Sequence, residues 1–138
     1  MRLTFVEGVQ ATTRDADLLT RWLDGAARSL AARPTAEAKE AAWAAATEEG
    51  VANRRFEAVT TGLWQAEQAA LLAPYVDRYL AEAPALAARG QAFAQAVGGA
   101  FPRVWLDDAQ LAGVAAALAG LDSTILRRDW EDALDDRR

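Results

Sequence analysis

The 138-residue sequence contains no histidine and no cysteine, and these two absences exclude much of the chemistry that proteins perform. Without histidine the chain cannot form an HExxH-type zinc site, a Ser-His-Asp triad or a Cys-His pair. Without cysteine it has no disulfide and no thiolate metal ligand. The sequence therefore indicates a chain that does not perform this chemistry alone.

Lysine is almost absent too, because Lys39 is the only lysine among the 15 basic residues, and the formal net charge is −5. Binding to nucleic acid needs a basic face that neutralises phosphates. Neither RRFEAV (54–59) nor LRR (126–128) extends into such a face. We expect no nucleic-acid partner.

Long apolar runs are missing as well. No segment approaches the roughly 20 consecutive apolar residues that span a bilayer. The first residues, MRLTFVEGVQATT, lack the basic segment and the continuous apolar core of a signal peptide. We therefore expect no membrane segment and a cytoplasmic location.

Alanine is abundant instead, and apolar residues recur with the spacing of helices. Residues 2–11 suit a helix or a short strand, and no alternating strand pattern follows them. The sequence predicts eight or nine short helices with brief connections. Beyond residue 11 they are 15–25 (Asp15 as N-cap, Gly25 as end), a short stretch 26–33, 35–50 (Thr35, Gly50), 54–63 (Asn53), 67–82, 84–99, 108–119 (Asp107, Gly120) and a last helix capped by Asp122 or Ser123.

Three tryptophans, Trp22, Trp43 and Trp64, are evenly spaced, about one per helix with its turn. Two helices in roughly 42 residues is the period of HEAT or armadillo-type repeats. Alanines on both sides of Trp43 allow a neighbouring helix to approach closely. We predict one all-α domain over residues 1–138, a HEAT/armadillo-like stack of antiparallel helical hairpins that forms an α-α superhelix.

Aromatic residues are concentrated in TTGLWQAEQAALLAPYVDRYLAEAP, residues 60–84. Tyr75 and Tyr79 lie four residues apart within a wide apolar stripe, the spacing of a helix face buried against other helices. An aromatic ligand site would use the same residue types, but helical spacing alone explains them. We interpret the stretch as a packing seam and expect Trp43 and Trp64 to be buried between adjacent helices.

Five segments, taken in order, resemble the C-terminal helical domain of bacterial aminopeptidase N, a zinc-dependent, thermolysin-like exopeptidase family related to the endoplasmic-reticulum aminopeptidases. They are PTAEAKEAAW (34–43), TGLWQ (61–65), LLAPYVDRYL (71–80), FAQAVGGAFPR (93–103) and LRRDWEDAL (126–134). The resemblance covers about residues 34–138, and residues 1–33 are similar to an earlier repeat of that domain. Ala66-Glu67 stands where the family has Pro-Gly, so we expect a differently built turn there.

The resemblance implies a fold and a role without an active site. In that family a HExxH helix with a downstream glutamate binds zinc, and a GxMEN motif holds the amino terminus of the substrate. Neither motif occurs here. No catalytic, cofactor-binding or metal-binding residue is therefore carried over, and zinc is expected only in the catalytic domain of the full-length family.

What the resemblance implies is the C-terminal domain or a fragment of a metalloaminopeptidase, which shapes and closes the peptide cavity without being catalytic itself. The implied partners are the catalytic domain of an aminopeptidase or a peptide substrate. The alternative function is a free-standing helical-repeat scaffold that uses its concave face for a protein partner.

Three pairs of adjacent acids are candidates for a general acid/base site: Glu48-Glu49, Asp107-Asp108 and Asp135-Asp136. A general acid and base must converge on one substrate, whereas neighbouring helical residues point about 100° apart. We interpret Asp107 as an N-cap and the other two pairs as exposed.

Two further motifs have structural interpretations. Gly98-Gly99 is not followed by the GK[ST] of a phosphate loop, and a helix end explains it better. Arg54 and Arg55, near a helix start, are candidates to hold a peptide carboxylate in a bowl, but a solvated helix end explains them as well.

The N-terminal segment has few charges around Leu3, Phe5, Val6 and Val9. A terminal repeat needs a polar outer face or a partner, because each repeat buries its apolar face against the next. We therefore expect residues 1–25 to form a weak homodimer or to fray, with residues 34–138 as the stable unit.

The missing histidine and cysteine give a first prediction, which is chemical inertness. The purified chain should bind no stoichiometric zinc and release no amino acid from aminoacyl anilides, as metal analysis and a colorimetric assay will show. Chelator-sensitive turnover that stays with the protein through denaturation and refolding would contradict it.

Overall fold

The computed structural model describes residues 13–137, and over these residues the chain contains helices and no strand. The prediction of an all-α chain is confirmed. The seven α-helices of this part are α1 (Thr13–Ala31), α2 (Ala36–Thr47), α3 (Asn53–Leu63), α4 (Ala69–Ala87), α5 (Gln91–Gly99), α6 (Asp108–Ala119) and α7 (Thr124–Asp135). A short 3-10 turn, Ala66–Gln68, precedes α4 where Pro-Gly is missing.

Contacts between the helices arrange them in two rows. In one row α1 contacts α3, α3 contacts α5 and α5 contacts α7, and in the other α2 contacts α4 and α4 contacts α6. Contacts of α1 with α2, α2 with α3 and α4 with α5 join the rows. The fold is thus a two-layer stack, and all seven helices contribute to one cluster of buried apolar residues.

Local capping signals set several helix ends as predicted. The Thr35 side chain accepts a hydrogen bond from the backbone at the start of α2. Asp107 forms a reciprocal capping box with Gln110 at the start of α6. Ser123 is the one of the two candidate residues that caps α7, and α5 ends at Gly99.

Two predicted boundaries are wrong. Gly25 does not end a helix, since α1 continues to Ala31: nothing crowds Gly25, and the residues that follow it are mostly strong helix formers. Pro84 does not separate two helices either, because α4 runs through it to Ala87. The break comes at Gly90, before α5. Joining 15–25 to 26–33 lowers the helix count of the described part to seven.

Three smaller predictions also need correction. Asp15 lies inside the first turn of α1, which begins at Thr13. Asn53 is the first residue of α3, and the extended backbone of Ala52 holds the cap position. Gly50 lies in the turn beyond α2 with a φ of 83°, a left-handed conformation that glycine adopts at little cost. The element expected at residues 2–11 lies outside the described residues.

The aromatic residues form the predicted packing seam. Trp43 and Tyr79 are fully buried and Trp64 is nearly so. The Tyr79 ring meets the rings of Trp64 and Phe101 edge to face, and its centroid lies 5.7 Å from that of Trp130. Because these rings contact one another inside the core, helix packing accounts for them and an aromatic ligand site does not.

The Tyr79 hydroxyl joins three helices through buried hydrogen bonds. It donates to the carbonyl oxygen of Val97 on α5 at 2.5 Å and accepts from the indole nitrogen of Trp130 on α7 at 2.9 Å. Burial raises the pKa of Tyr79 well above its usual value. The buried phenol is therefore a fixed link between the rows.

Two glycines allow neighbouring helices of one row to approach closely. A Cβ added at Gly62 of α3 would lie 2.0 Å from the backbone oxygen of Arg28 on α1. A Cβ at Gly98 of α5 would lie 2.1 Å from a carboxylate oxygen of Asp129 on α7. The atom that a Cβ at Gly62 would meet belongs to the backbone of Arg28. It therefore cannot move aside as the end of a flexible side chain can.

The close approach at Gly62 gives a stability prediction with a built-in control. Gly62→Ala should lower the free energy of unfolding by about 1–3 kcal/mol, because the new methyl group forces α1 and α3 apart. Gly25→Ala, in open space within α1, should raise it by up to about 1 kcal/mol through helix propensity. Urea denaturation measures both variants, and equal stabilities would contradict the described contact between α1 and α3.

The Tyr79 network gives a second prediction, which concerns pH. At neutral pH, Tyr79→Phe should cost about 1–3 kcal/mol, because it removes both hydrogen bonds of the hydroxyl and leaves the indole N–H of Trp130 unpaired. In the unfolded chain the Tyr79 phenol ionises above about pH 10, whereas in the folded chain its raised pKa keeps it protonated. The contribution of Tyr79 to the free energy of unfolding is therefore present below this pH and is lost as the pH rises above it.

The difference in unfolding free energy between wild type and Tyr79→Phe should therefore shrink as the pH rises from about 8 to about 11. Tyr75, the other tyrosine, is present in both proteins and cancels in the comparison. Urea denaturation followed by circular dichroism at both pH values tests this. A difference that does not change with pH would count against a buried neutral phenol.

Candidate functional site

The three pairs of adjacent acids lie at helix ends. Asp107 is the N-cap of α6, as interpreted from the sequence. The other two pairs, Glu48-Glu49 and Asp135-Asp136, are exposed at the ends of α2 and α7. Their positions agree with the interpretation as solvated helix ends.

The two candidate arginines have different surroundings. The Nε of Arg55 lies 2.7 Å from a carboxylate oxygen of Asp24, and this ion pair joins α3 to α1. Arg55 is thus already paired with a carboxylate of the same chain, and Arg54 is exposed in the first turn of α3. Gly98 is packed against Asp129, which supports a structural role for the Gly98-Gly99 pair.

The residues present do not fit a zinc ion. The sequence has no histidine or cysteine. Among residues 13–137, no group of three or more Asp or Glu side chains is arranged to hold a metal ion. We therefore derive no metal-dependent step for this chain. No helix in the same part is long and apolar enough to cross a bilayer.

The only lysine is a buried structural group. The ammonium of Lys39, on α2, donates to the carbonyl oxygen of Ala31 at 2.7 Å and to that of Leu63 at 3.2 Å. These carbonyls belong to the last residues of α1 and α3, where helices leave carbonyls without partners. Burial lowers the pKa of Lys39, and the Glu67 carboxylate acts in the opposite direction. Lys39 holds two helix ends and does not face a substrate.

A half-exposed polar cluster joins α2 to α4. One carboxylate oxygen of Glu40 accepts hydrogen bonds from Arg78 at 2.7 Å and from the Tyr75 hydroxyl at 3.0 Å. These bonds, led by that from Arg78, lower the pKa of Glu40. The Arg78 guanidinium also lies over the rings of Trp43 and Tyr75 and pairs with Glu82. The polar and charged groups of this cluster pair with one another, so the cluster is best explained as a link between α2 and α4.

One face of α1 exposes large apolar residues, and we call these residues the α1 surface. It consists of Leu18, Leu19, Trp22, Leu23 and Leu30. Trp22 is 68% exposed, although Trp43 at the same repeat position is fully buried. An apolar face of this kind marks an interaction surface when it is contiguous. The C-terminal half of α1 packs on α3 near Gly62, which leaves the N-terminal half uncovered among the described residues.

A groove between α1 and α2 continues the α1 surface. Leu30 belongs to both, and the groove has a volume of about 550 Å³. Its floor is lined mainly by small side chains from the two helices, including Ala27, Ala38, Ala41 and Ala45. Small side chains let another backbone approach closely, so the groove and the α1 surface together fit a packed helix better than a small polar ligand.

The sequence revealed the residues of the α1 surface but not their exposure. The pattern Leu18, Leu19, Trp22, Leu23 is that of a buried helix face, and only the arrangement of neighbouring helices shows that nothing described here covers it. The charge of Arg54 and Arg55 suggested a ligand site, but the partner of Arg55 lies 31 residues away in sequence and has no local signal.

A known protein family matches this two-row helical chain over most of its length. A family model described as the ERAP1-like C-terminal domain matches residues 9–138. No curated protein and no solved structure matches the chain significantly. The family match includes every helix described above. The chain therefore belongs to the ERAP1-like C-terminal domain family.

Proposed function

We propose that this chain is the C-terminal helical domain of a bacterial, cytoplasmic metalloaminopeptidase, and that it shapes and closes the cavity that holds the peptide substrate. The family match over residues 9–138 carries the proposal, since this domain family is part of multidomain aminopeptidases. The chain supplies no zinc ligand of the family type. The zinc ion and the peptide-cleaving residues therefore come from a catalytic domain that acts as its partner.

The two-row stack suits this role. Stacked helical hairpins of the HEAT type form a superhelix with an extended concave surface. Such a surface can border a peptide cavity without contributing a reacting group. Shape is then the contribution of this domain, which agrees with the structural use of Lys39 and of the Glu40–Arg78 cluster.

The α1 surface is where we expect the rest of the aminopeptidase to dock. In a helical stack each inner helix is covered by a row neighbour on both sides, whereas α1 contacts α3 on one side only among the described residues. Leaving Trp22 and four leucines in water is costly, at about 25 cal/mol per Å² of apolar area. A preceding helix of the enzyme would cover them and fill the groove between α1 and α2.

A second function, the free-standing scaffold, is favoured by the same surface. A copy of the chain could cover the α1 surface in a weak homodimer through residues 1–25, of which the structure describes only those from Thr13 onward. The two functions differ in what buries Trp22. An experiment that follows association through this side chain therefore separates them.

We expect the chain to bind the zinc-containing catalytic part of an aminopeptidase from the same source and to increase its turnover of longer peptides. Trp22→Ser should weaken this association about tenfold or more, because it removes the largest side chain of the α1 surface. Copurification and titration calorimetry measure binding, and peptide hydrolysis measures turnover.

Trp105→Ser is the matched control, because Trp105 is equally exposed but lies outside the α1 surface. It should leave the association within about twofold of wild type. If the wild-type chain instead forms a dimer that Trp22→Ser dissociates, and binds no catalytic part, the scaffold function replaces the proposed one.

A further inference from the structure

The loop between α5 and α6 carries an exposed tryptophan between buried residues. Phe101, Val104 and Leu106 of this loop are buried in the core, whereas Trp105 between them is 73% exposed. The loop therefore does not need Trp105 for its own anchoring. Tryptophan is among the side chains that contribute most to binding at protein interfaces, so its exposure makes this loop a candidate binding surface.

Arg137, just beyond α7, contacts this loop. The Arg137 guanidinium donates to the carbonyl oxygen of Val104 at 2.8 Å and also to that of Pro102. It lies over the Phe101 ring at 5.6 Å. Contacts of this kind restrict a loop before a partner arrives, which lowers the conformational entropy lost on binding.

An apolar recess borders Trp105 on the side of α6. It has a volume of about 430 Å³ and is lined by Leu111, Ala115 and Leu118 of α6, by Leu134 of α7 and by Arg137, whose guanidinium donates to the loop. Leu111 is among the exposed large apolar residues of the described part. The recess has room for one or two apolar side chains of a partner. We call it, together with Trp105, the Trp105 surface.

A second recess that Trp105 also lines carries carboxylates. Asp129, Asp132 and Asp136 line it together with Arg103 and Arg137. Both arginines donate to backbone carbonyls of the chain, Arg103 to that of Gly99. Among residues 13–137 none of the three carboxylates is within ion-pair distance of a cation. The recess thus offers acceptors for a positively charged group.

We infer that the Trp105 surface binds an extended polypeptide segment in which an apolar residue stands beside lysine or arginine. The apolar side chain enters the recess of Leu111 and Leu118, and the cation faces Asp132 while lying against the Trp105 ring. Charge selects the partner, because the carboxylates of the second recess would repel an acidic segment. The inference does not rest on the proposed function, since the Trp105 surface shares no residue with the α1 surface.

Fluorescence anisotropy of two labelled peptides tests the inference with the full chain. One peptide alternates leucine and lysine, and the other has glutamate in place of every lysine. The lysine peptide should bind saturably and the glutamate peptide at least tenfold more weakly. Trp105→Ala should weaken binding of the lysine peptide about tenfold or more, and Trp22→Ala should stay within about twofold.

Asp132→Asn separates charge recognition from apolar contact. It should weaken binding several-fold and flatten its salt dependence, because the screened attraction is removed. Asp132 and Trp105 are exposed, so both variants should melt as wild type does. Equal binding of the two peptides, no binding at about 1 mM, or an effect of Trp22→Ala as large as that of Trp105→Ala would each overturn the inference. So would a homodimer that Trp105→Ala dissociates, since a second copy would then occupy the surface.

Discussion

Short helices create many carbonyl groups that no residue of the same helix can satisfy, and this fold depends on how it pairs them. Lys39 of α2 donates to the last carbonyls of α1 and α3. Arg89, just beyond α4, donates to two carbonyls at the end of α2, and Tyr79 of α4 donates to one near the end of α5. Each of these donors lies outside the helix whose carbonyl it serves. The bonds of Lys39 and Tyr79 therefore also hold the two rows together, and those of Arg89 join the end of α4 to α2 within one row.

This use of polar side chains explains why the described part contains no converging chemical site. Three of its cations are engaged: Lys39 with helix ends, Arg55 with Asp24, and Arg78 with Glu40. A chain without histidine and cysteine has few other groups for catalysis. The proposed role of bordering a cavity relies on surface shape and apolar contact, which do not need these engaged groups.

Sequence reasoning succeeded where the signal is local. The caps at Thr35, Asp107 and Ser123 depend on residues three positions apart, and the aromatic seam follows from helical spacing. It failed where the outcome depends on distant neighbours. The partners of Lys39 lie 8 and 24 residues away, so nothing nearby in the sequence shows that this lysine is buried. Similarly, Trp22 has the repeat position of a core tryptophan, but a row neighbour decides whether that position is covered.

The large exposed apolar residues between positions 13 and 137 fall into two groups, five on the α1 surface and two, Trp105 and Leu111, on the Trp105 surface. The first group lies on α1 and the second on α6 and the loop before it, and their shapes differ. The α1 surface is a helix face beside a groove of alanines, which suits another helix. The Trp105 surface is a fixed loop between an apolar and a carboxylate recess, which suits an extended segment. Because neither surface needs the other, one domain can be joined to an enzyme through α1 and still present Trp105 to a peptide.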